Sequence, residues 1–336
     1  MNIVFAEFCG LGNSVLLSST FRSLKNYKEF KIVYVGNNKF SGITIHKFSQ
    51  YIDERIILSN LKPNIILKFF KNVSKCNFVI IPEHSNPNLL FLLICSFFPK
   101  KNIILSENFF KRLNYLKKII FLLFAKVNNI NFIKIKVPDN IHEIEINNKF
   151  IQPILNSKNQ IKENIFSKYF DHPGDFNCIR KLKLENIKYF VIQPFCANGL
   201  NNFGKFSKNW PSKNFEILTE ILLNNYKDSY IIFVGDHGDG KNFLNIPSSS
   251  RVLNLISKTT IEELISILKN SQFIICHDSS ILHLSDSMSL KNLSLFGPTK
   301  FEKNKPHGSN SFFIRKSSMS LISPNDVFEI IQNNIK

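Results

Sequence analysis

The 336-residue chain lacks the features of a secreted, membrane-spanning or metal-stapled protein. Its six cysteines, at 9, 76, 95, 178, 196 and 276, show no paired spacing, which argues against a zinc site or a redox dithiol and leaves reduced core thiols. No apolar run approaches the roughly 18 residues that cross a bilayer. The longest, 89–98 and 119–125, read as core helices or as an interfacial surface. The first eight residues form a strand-like run with no basic stretch or cleavage site, which predicts no signal peptide and a cytoplasmic protein. Neither a complete GxGxxG nor a GxxxxGK occurs, so a dinucleotide or P-loop reading is weak. Short repeats and low-complexity segments are also absent.

Acidic residues are scarce, 25 against 43 lysines and arginines, and the net charge of +18 favours anionic partners. An AT-rich codon bias towards Lys, Asn, Ile and Phe would raise the charge equally without any function. No nucleic-acid-binding module accompanies the charge, so nucleic acid is not an expected partner. One local patch stands out: Lys111, Arg112, Lys117 and Lys118 interleave with Phe109, Phe110, Leu113, Tyr115 and Leu116, a composition suited to a membrane surface.

What is present is core material for two domains, with 44% hydrophobic residues and 34 phenylalanines. Strand-like segments at 3–7, 31–35, 78–81 and 103–105 alternate with helical ones at 14–25, 62–73 and 88–97. After a helix and linker over 147–175 the pattern restarts, with strands at 189–193, 230–234, 252–255, 273–276 and 292–295. Helices are predicted at 212–223, 260–268 and 279–288. Alternation of this kind predicts α/β domains with parallel sheets and a ligand at the carboxyl ends of the strands. Thr260 with Glu263 forms a capping box, and Ser323-Pro324 opens a last helix.

The most informative run is Phe273 to His283. An apolar strand leads through Asp278, Ser279 and Ser280 into a helix whose free N–H groups and dipole suit phosphate oxygens. His283, one turn further on, falls on the face of Ser279. Gly10 and Gly12 follow the first strand and allow a tight turn or close approach to a ligand. Lys208 precedes Trp210-Pro211, the loop-to-helix anchor, where it is placed to neutralise a phosphate; a solvated surface lysine is the bland alternative. Asp239, after the strand ending at Val234, suits ribose hydroxyls or a plain turn. His277 and His283 flank Asp278 without any metal-ligand spacing, so no metal is predicted.

Taken in order, these segments resemble glycosyltransferase family 9, the bacterial heptosyltransferases of lipopolysaccharide core synthesis. Gly10-Leu11-Gly12-Asn13 is similar to the family's GxGD, Lys208-Asn209-Trp210-Pro211 to its KxWP, and residues 234–239 to its VGGPGD-like turn. Asp278 to His283 is similar to DSGPMH, and Phe296-Gly297-Pro298-Thr299 to FGPT. His142 to Glu145 resembles the HxxE-like helix before the interdomain linker.

The resemblance implies a GT-B fold, two doubly wound Rossmann-like domains facing across a cleft. The acceptor-binding domain would span 1–160, the nucleotide-sugar domain 161–322, and a C-terminal helix, 323–336, would pack back on the first. It implies an inverting, metal-independent transfer of a heptose-like sugar to a lipopolysaccharide-core or other glycolipid acceptor. No cofactor is implied; the donor would be ADP-heptose or another nucleotide-diphosphate sugar. An anionic glycolipid would be the partner, with peripheral association at the cytoplasmic face of the inner membrane. Gln193, Lys208, Asp239, Asp278, Ser279, Ser280 and His283 would bind the donor, and Gly10, Gly12 and Asn13 the acceptor. Lys208 and Asp278 would also serve the chemistry.

Two positions depart from the family. Asn13 stands where the family has its catalytic Asp, and an amide is no general base. Glu7, Glu107 and His84 are the substitutes in the sequence, or Asn13 only orients the acceptor; the alternative is a weakly active or noncatalytic nucleotide-sugar or glycan-binding relative. Ser280 stands where the family has Gly, narrowing the space beside the diphosphate.

Overall fold

Strand runs too apolar to face water on either side build two parallel sheets in the computed structural model, which describes residues 1–27, 29–37, 42–58, 62–157, 170–196, 208–236 and 246–335. By internal contacts the chain divides into the units Met1–Tyr169 and Phe170–Lys336.

The first unit begins with β1 (Asn2–Ala6), α1 (Leu11–Lys25), β2 (Lys31–Gly36), α2 (Gly42–Ile45), β3 (Glu54–Ile57) and α3 (Pro63–Lys75). It continues with β4 (Cys76–Ile80), α4 (Leu89–Phe97), β5 (Asn102–Ser106), α5 (Phe109–Arg112), α6 (Tyr115–Val127), β6 (Asn131–Ile135) and α7 (Glu143–Asn156). The strands lie parallel in the order β3-β2-β1-β4-β5-β6. Period-two alternation sends Val4, Ala6, Val33 and Val79 to one face, under α3, α4 and α6. Ile3, Phe5, Ile32 and Ile80 go to the other, under α1 and α7.

The second unit runs α8 (Phe176–Lys181), β7 (Lys188–Ile192), α9 (Ser212–Asn225), β8 (Ser229–Phe233), β9 (Val252–Asn254) and α10 (Ile261–Lys269). Then come β10 (Phe273–His277), α11 (Ser280–Ser287), β11 (Asn292–Phe296), α12 (Phe301–Asn304), β12 (Ser311–Arg315) and α13 (Pro324–Asn334). Its sheet, β12-β11-β10-β7-β8-β9, is the first sheet's order repeated. The Thr260–Glu263 capping box forms, and Ser323 makes another with Asp326. Val327 and Ile331 of α13 are buried beside Phe215 and Leu218 of α9, in the second unit's core.

The sheets hold six strands each, where the sequence pattern marks four and five. The unmarked strands β3, β6 and β12 all lie at sheet edges and carry Glu54, Arg55, Lys134 or Arg315. Charge on an edge strand blocks pairing with another chain and also interrupts the apolar run by which a strand is read.

In each sheet the strand order reverses direction at one place, β1/β4 and β7/β10. The loops leaving those strands diverge there and leave a crevice at the carboxyl ends, the usual ligand position of such sheets. The first crevice is braced from below: Glu7, just after β1 and 1% exposed, accepts from the Ser14 hydroxyl and lies 2.8 Å from Nε2 of the equally buried His46. A side chain on Gly42 would meet the Glu7 carboxylate and the Tyr34 hydroxyl, so the backbone there must come close. Gly42→Ala is expected to cost about 1–3 kcal/mol by overpacking. Urea unfolding would measure it, and an unchanged midpoint would show that this packing does not constrain residue 42.

Candidate functional site

The crevice of the second unit gathers most of the sequence-marked residues. Strand β10 ends at His277, which is fully buried, and delivers Asp278 and Ser279 to the opening. Ser279 is the N-cap of α11, but its hydroxyl makes no capping bond. It donates instead to Gln193 Oε1 at 2.5 Å, bridging the loops that follow β10 and β7. The first-turn N–H groups of α11 are left with no side-chain cap, the arrangement that receives an anion at a helix N-terminus. Ser280 opens the helix and is partly exposed, and His283 follows one turn on, 6% exposed.

Lys208 Nζ lies 3.1 Å from Asp278 Oδ2, with the lysine side chain one-third exposed and the carboxylate 4% exposed. Asn304 Nδ2 also reaches that oxygen, at 3.4 Å. The sequence marks both Lys208 and Asp278 but not their pairing: 70 residues apart, they meet only through the fold. One end of the ammonium is held by protein, and the exposed part is left for a second anion.

The loop carrying Lys208 is fixed by Trp210, 1% exposed. Its indole N–H donates to Ile322 O at 2.8 Å, its ring meets Phe215 edge-on, and its backbone N–H donates to His277 Nε2 at 3.0 Å. Asn209 Oδ1 accepts from Cys196 N–H at 3.0 Å, tying this loop to the one after β7. An imidazole that accepts at Nε2 carries its proton on Nδ1 and is neutral. Burial pushes the His277 pKa down to about 3; the nearby Lys208 charge pushes the same way, against the opposing effect of Asp278.

Further along the same edge, Gly297 follows β11, where a side chain would run into Met319, and Thr299 N–H closes a turn on Gly297 O at 2.9 Å. Asp286 of α11, buried, accepts from the backbone N–H groups of His307 and Gly308 and from the Ser311 hydroxyl. Asp239 lies outside the described residues. Among the described residues no group of three or more His, Cys, Asp and Glu is arranged to hold a metal ion.

The first unit's crevice holds Gly10, Gly12 and Asn13. Gly10 is the N-cap of α1 at φ −73, an ordinary conformation with open space where a Cβ would be, so its absence of a side chain clears the mouth rather than permitting a turn. Asn13 is partly exposed in the first turn of α1. Of the three substitutes for its missing carboxylate, Glu7 is committed to Ser14 and His46, and Glu107 is exposed at the end of β5.

His84 differs from both. Its Nε2 lies 3.1 Å from Oε2 of Glu143, itself 2% exposed, while the imidazole is 38% exposed. Ser85 Oγ accepts from Phe8 N–H at 3.1 Å, and Asn86 N–H donates to Phe8 O at 3.2 Å, which places this segment against the turn leading to Gly10. Glu143 also raises the Cys9 thiol, after burial and Glu7, so its charge is felt at that same turn. The partnership escapes a sequence reading because Glu143 sits 59 residues away, behind the helix-capping His142. The only hint is the carboxylate following the cap in the HxxE-like stretch.

The depressed His277 pKa has a pH signature. The folded state keeps His277 neutral while the unfolded chain protonates near the ordinary 6.5, so the unfolded state binds the extra proton between about 3 and 6.5. Stability from this group is therefore complete above 6.5 and lost as pH falls towards 3, on the order of a few kcal/mol. Urea midpoints should decline from pH 7.5 to pH 5 (roughly the range in which a free histidine gains its proton), and His277→Gln should flatten the decline. An equal slope in the variant would remove His277 as the cause.

The comparisons fit this geometry. Residues 162–322 match the model of glycosyltransferase family 9 (heptosyltransferase). Over 116 residues, 32% of the chain, the sequence is 28% identical to lipooligosaccharide heptosyltransferase 2 of Campylobacter jejuni. Over 132 residues, 38% of the chain, it is 25% identical to that of Haemophilus influenzae. The matched stretches span just over a third of those relatives' lengths, 36% and 37%. The structure of E. coli ADP-heptose lps heptosyltransferase II superposes with a TM-score of 0.73 at 13% identity, covering 99% of this chain and 98% of that one. The fold is thus the two-domain GT-B architecture, and residues 162–322 are similar to glycosyltransferase family 9.

Proposed function

We propose that the protein is an inverting, metal-independent glycosyltransferase. It would move a heptose-like sugar from a nucleotide-diphosphate sugar, ADP-heptose first among the candidates, to a lipopolysaccharide-core or other glycolipid acceptor. The second domain would hold the donor and the first the acceptor, with no resident cofactor, at the cytoplasmic face of the inner membrane. The observation that carries this reading is the Lys208–Asp278 pair beside the uncapped N-terminus of α11, inside the family-matched region.

In this reaction an acceptor oxygen forms a bond to the anomeric carbon as the bond from that carbon to the diphosphate breaks. The acceptor proton goes to a base, and the charge on the leaving diphosphate is met by Lys208 and the first-turn N–H groups of α11. Asp278 would orient Lys208 and a sugar hydroxyl, with His283 one turn behind. Ser280 would shape the space beside the diphosphate, and Asp239 the ribose. We assign the base to His84: with Nε2–H directed at Glu143, its Nδ1 lone pair can take the acceptor proton, while Asn13 orients the acceptor. A second reading, a noncatalytic nucleotide-sugar-binding relative, is favoured by Asn13 alone.

Calorimetric titration with ADP, UDP and GDP tests the donor site. One nucleotide should bind selectively, and Lys208→Met should weaken it roughly tenfold or more, the size of a lost charge-assisted bond; His283→Ala should weaken it too. No binding by any of the three would overturn the donor reading. Against the donor so named, His84→Ala should lower turnover roughly a hundredfold or more without changing nucleotide affinity. Asn13→Asp in the same chain should restore part of it. Selective binding with no turnover, gained only in Asn13→Asp, would establish the noncatalytic relative instead.

A further inference from the structure

Helix α6 has two apolar faces and the fold covers one. Phe121 and Ala125 are buried, with Phe121 edge-on to Phe109 and Phe132 and stacked near Phe110, and the helix packs along α4. That aromatic cluster fixes the helix's rotation and turns the other face to solvent. Tyr115, Ile119, Leu122 and Leu123 follow the i, i+4, i+7, i+8 pattern of one stripe. With Leu116 and Val127 on its border, exposure ranges from 37% at Ile119 and Leu122 to 80% at Tyr115. A stripe of large apolar side chains this continuous is not an ordinary feature of a monomer's surface.

Its surroundings say what covers it. From 108 to 138 the chain carries six lysines and one arginine and not a single Asp or Glu. Lys118 and Lys126 sit on α6 beside the stripe and are exposed, and Lys134 and Lys136 are exposed on and after the neighbouring edge strand β6. A second copy of the chain would bring the same positive charge to this face, and the chain as a whole, at +18, has a large excess of positive charge to offer. A nucleic acid would use the lysines but leave the aliphatic stripe in water. Lipid satisfies both: acyl chains take the apolar side chains, anionic headgroups take the lysines, and long lysine stems reach from one layer to the other.

The geometry points to α6 as an in-plane docking element that seats the first domain on an anionic bilayer. No helix among the described residues is long and apolar enough to cross a membrane, so seating on the surface is the mode this element offers. The surface would serve the transfer reaction proposed above, resting on that reading for its purpose, yet its lipid binding needs neither donor nor acceptor to be measured.

The experiment is co-sedimentation of the full chain with vesicles of phosphatidylcholine alone and of phosphatidylcholine mixed with phosphatidylglycerol. Binding should favour the anionic vesicles and weaken with salt. Leu116→Ser with Leu123→Ser should reduce the partition coefficient roughly tenfold or more through lost apolar burial. Lys118→Glu with Lys126→Glu should reduce it by at least as much. These positions are exposed, and matching thermal unfolding curves would check that the variants fold. Equal binding to neutral vesicles, no binding to either, or binding unaffected by the leucine changes would overturn the proposal. So would a dimer in sedimentation velocity that the leucine changes dissolve, which would make the face a subunit interface. Failure of the nucleotide titrations would leave a positive vesicle result standing.

Discussion

In the second domain the crevice is organised by one hydrogen bond, from the Trp210 backbone N–H to Nε2 of His277. It joins the end of β10, which delivers Asp278 and Ser279, to the loop that delivers Lys208. Because the acceptor is a buried imidazole, the bond exists only while that ring is neutral; a proton on Nε2 would set donor against donor inside the core. Burial, with help from Lys208, opposes that proton. The same lysine that would face the diphosphate therefore helps hold the strand end in the protonation state that positions it. The indole N–H to Ile322 and the Phe215 contact anchor the other side of Trp210, so the loop is held at two points by buried groups.

The two domains share one sheet order and use it differently. Glu7 and Gln193 occupy the same topological place, the first residue after the central strand β1 or β7. In the second domain Gln193 reaches across the crevice and accepts from Ser279, so a neutral amide joins the two loops without adding charge beside the α11 N-terminus. In the first, the carboxylate turns inward to Ser14 and His46 and fixes the start of α1 from beneath. Losing the Ser14 hydroxyl would leave a buried carboxyl oxygen without its donor, at a cost of about 1–3 kcal/mol. That commitment is why Glu7, though close in sequence to Asn13, is a structural brace rather than a base.

Most of the central architecture was legible in the sequence, because a buried parallel strand must be apolar on both faces and a helix must announce its caps. β1, β2, β7, β8, β10 and β11 read directly, and Thr260 and Ser323 cap as their neighbours require. Of the edge strands only β9 was legible; in β3, β6 and β12, Glu54, Lys134 and Arg315 satisfy the edge by breaking the pattern. At the site, the motif residues were legible one at a time while their partnerships were not. Lys208 with Asp278 and His84 with Glu143 join positions 70 and 59 apart, and nothing local in the chain encodes such a pairing. Gln193 was marked, but its role as the bridge to Ser279 depends on β7 and β10 being neighbours, a fact of topology.

The proposed assignment of the base to His84 rather than position 13 has a physical logic. Asn13 projects from the first turn of α1, where the positive end of the helix dipole favours a carboxylate's ionised form and so lowers its strength as a base. His84 stands on the loop after β4, on the opposite side of the same crevice, with a buried carboxylate behind one nitrogen. On that proposal Glu143 would stabilise the imidazolium formed when the other nitrogen takes a proton, and would favour the tautomer with hydrogen on Nε2. An amide at position 13 would then fit, because it can both donate and accept towards an acceptor hydroxyl.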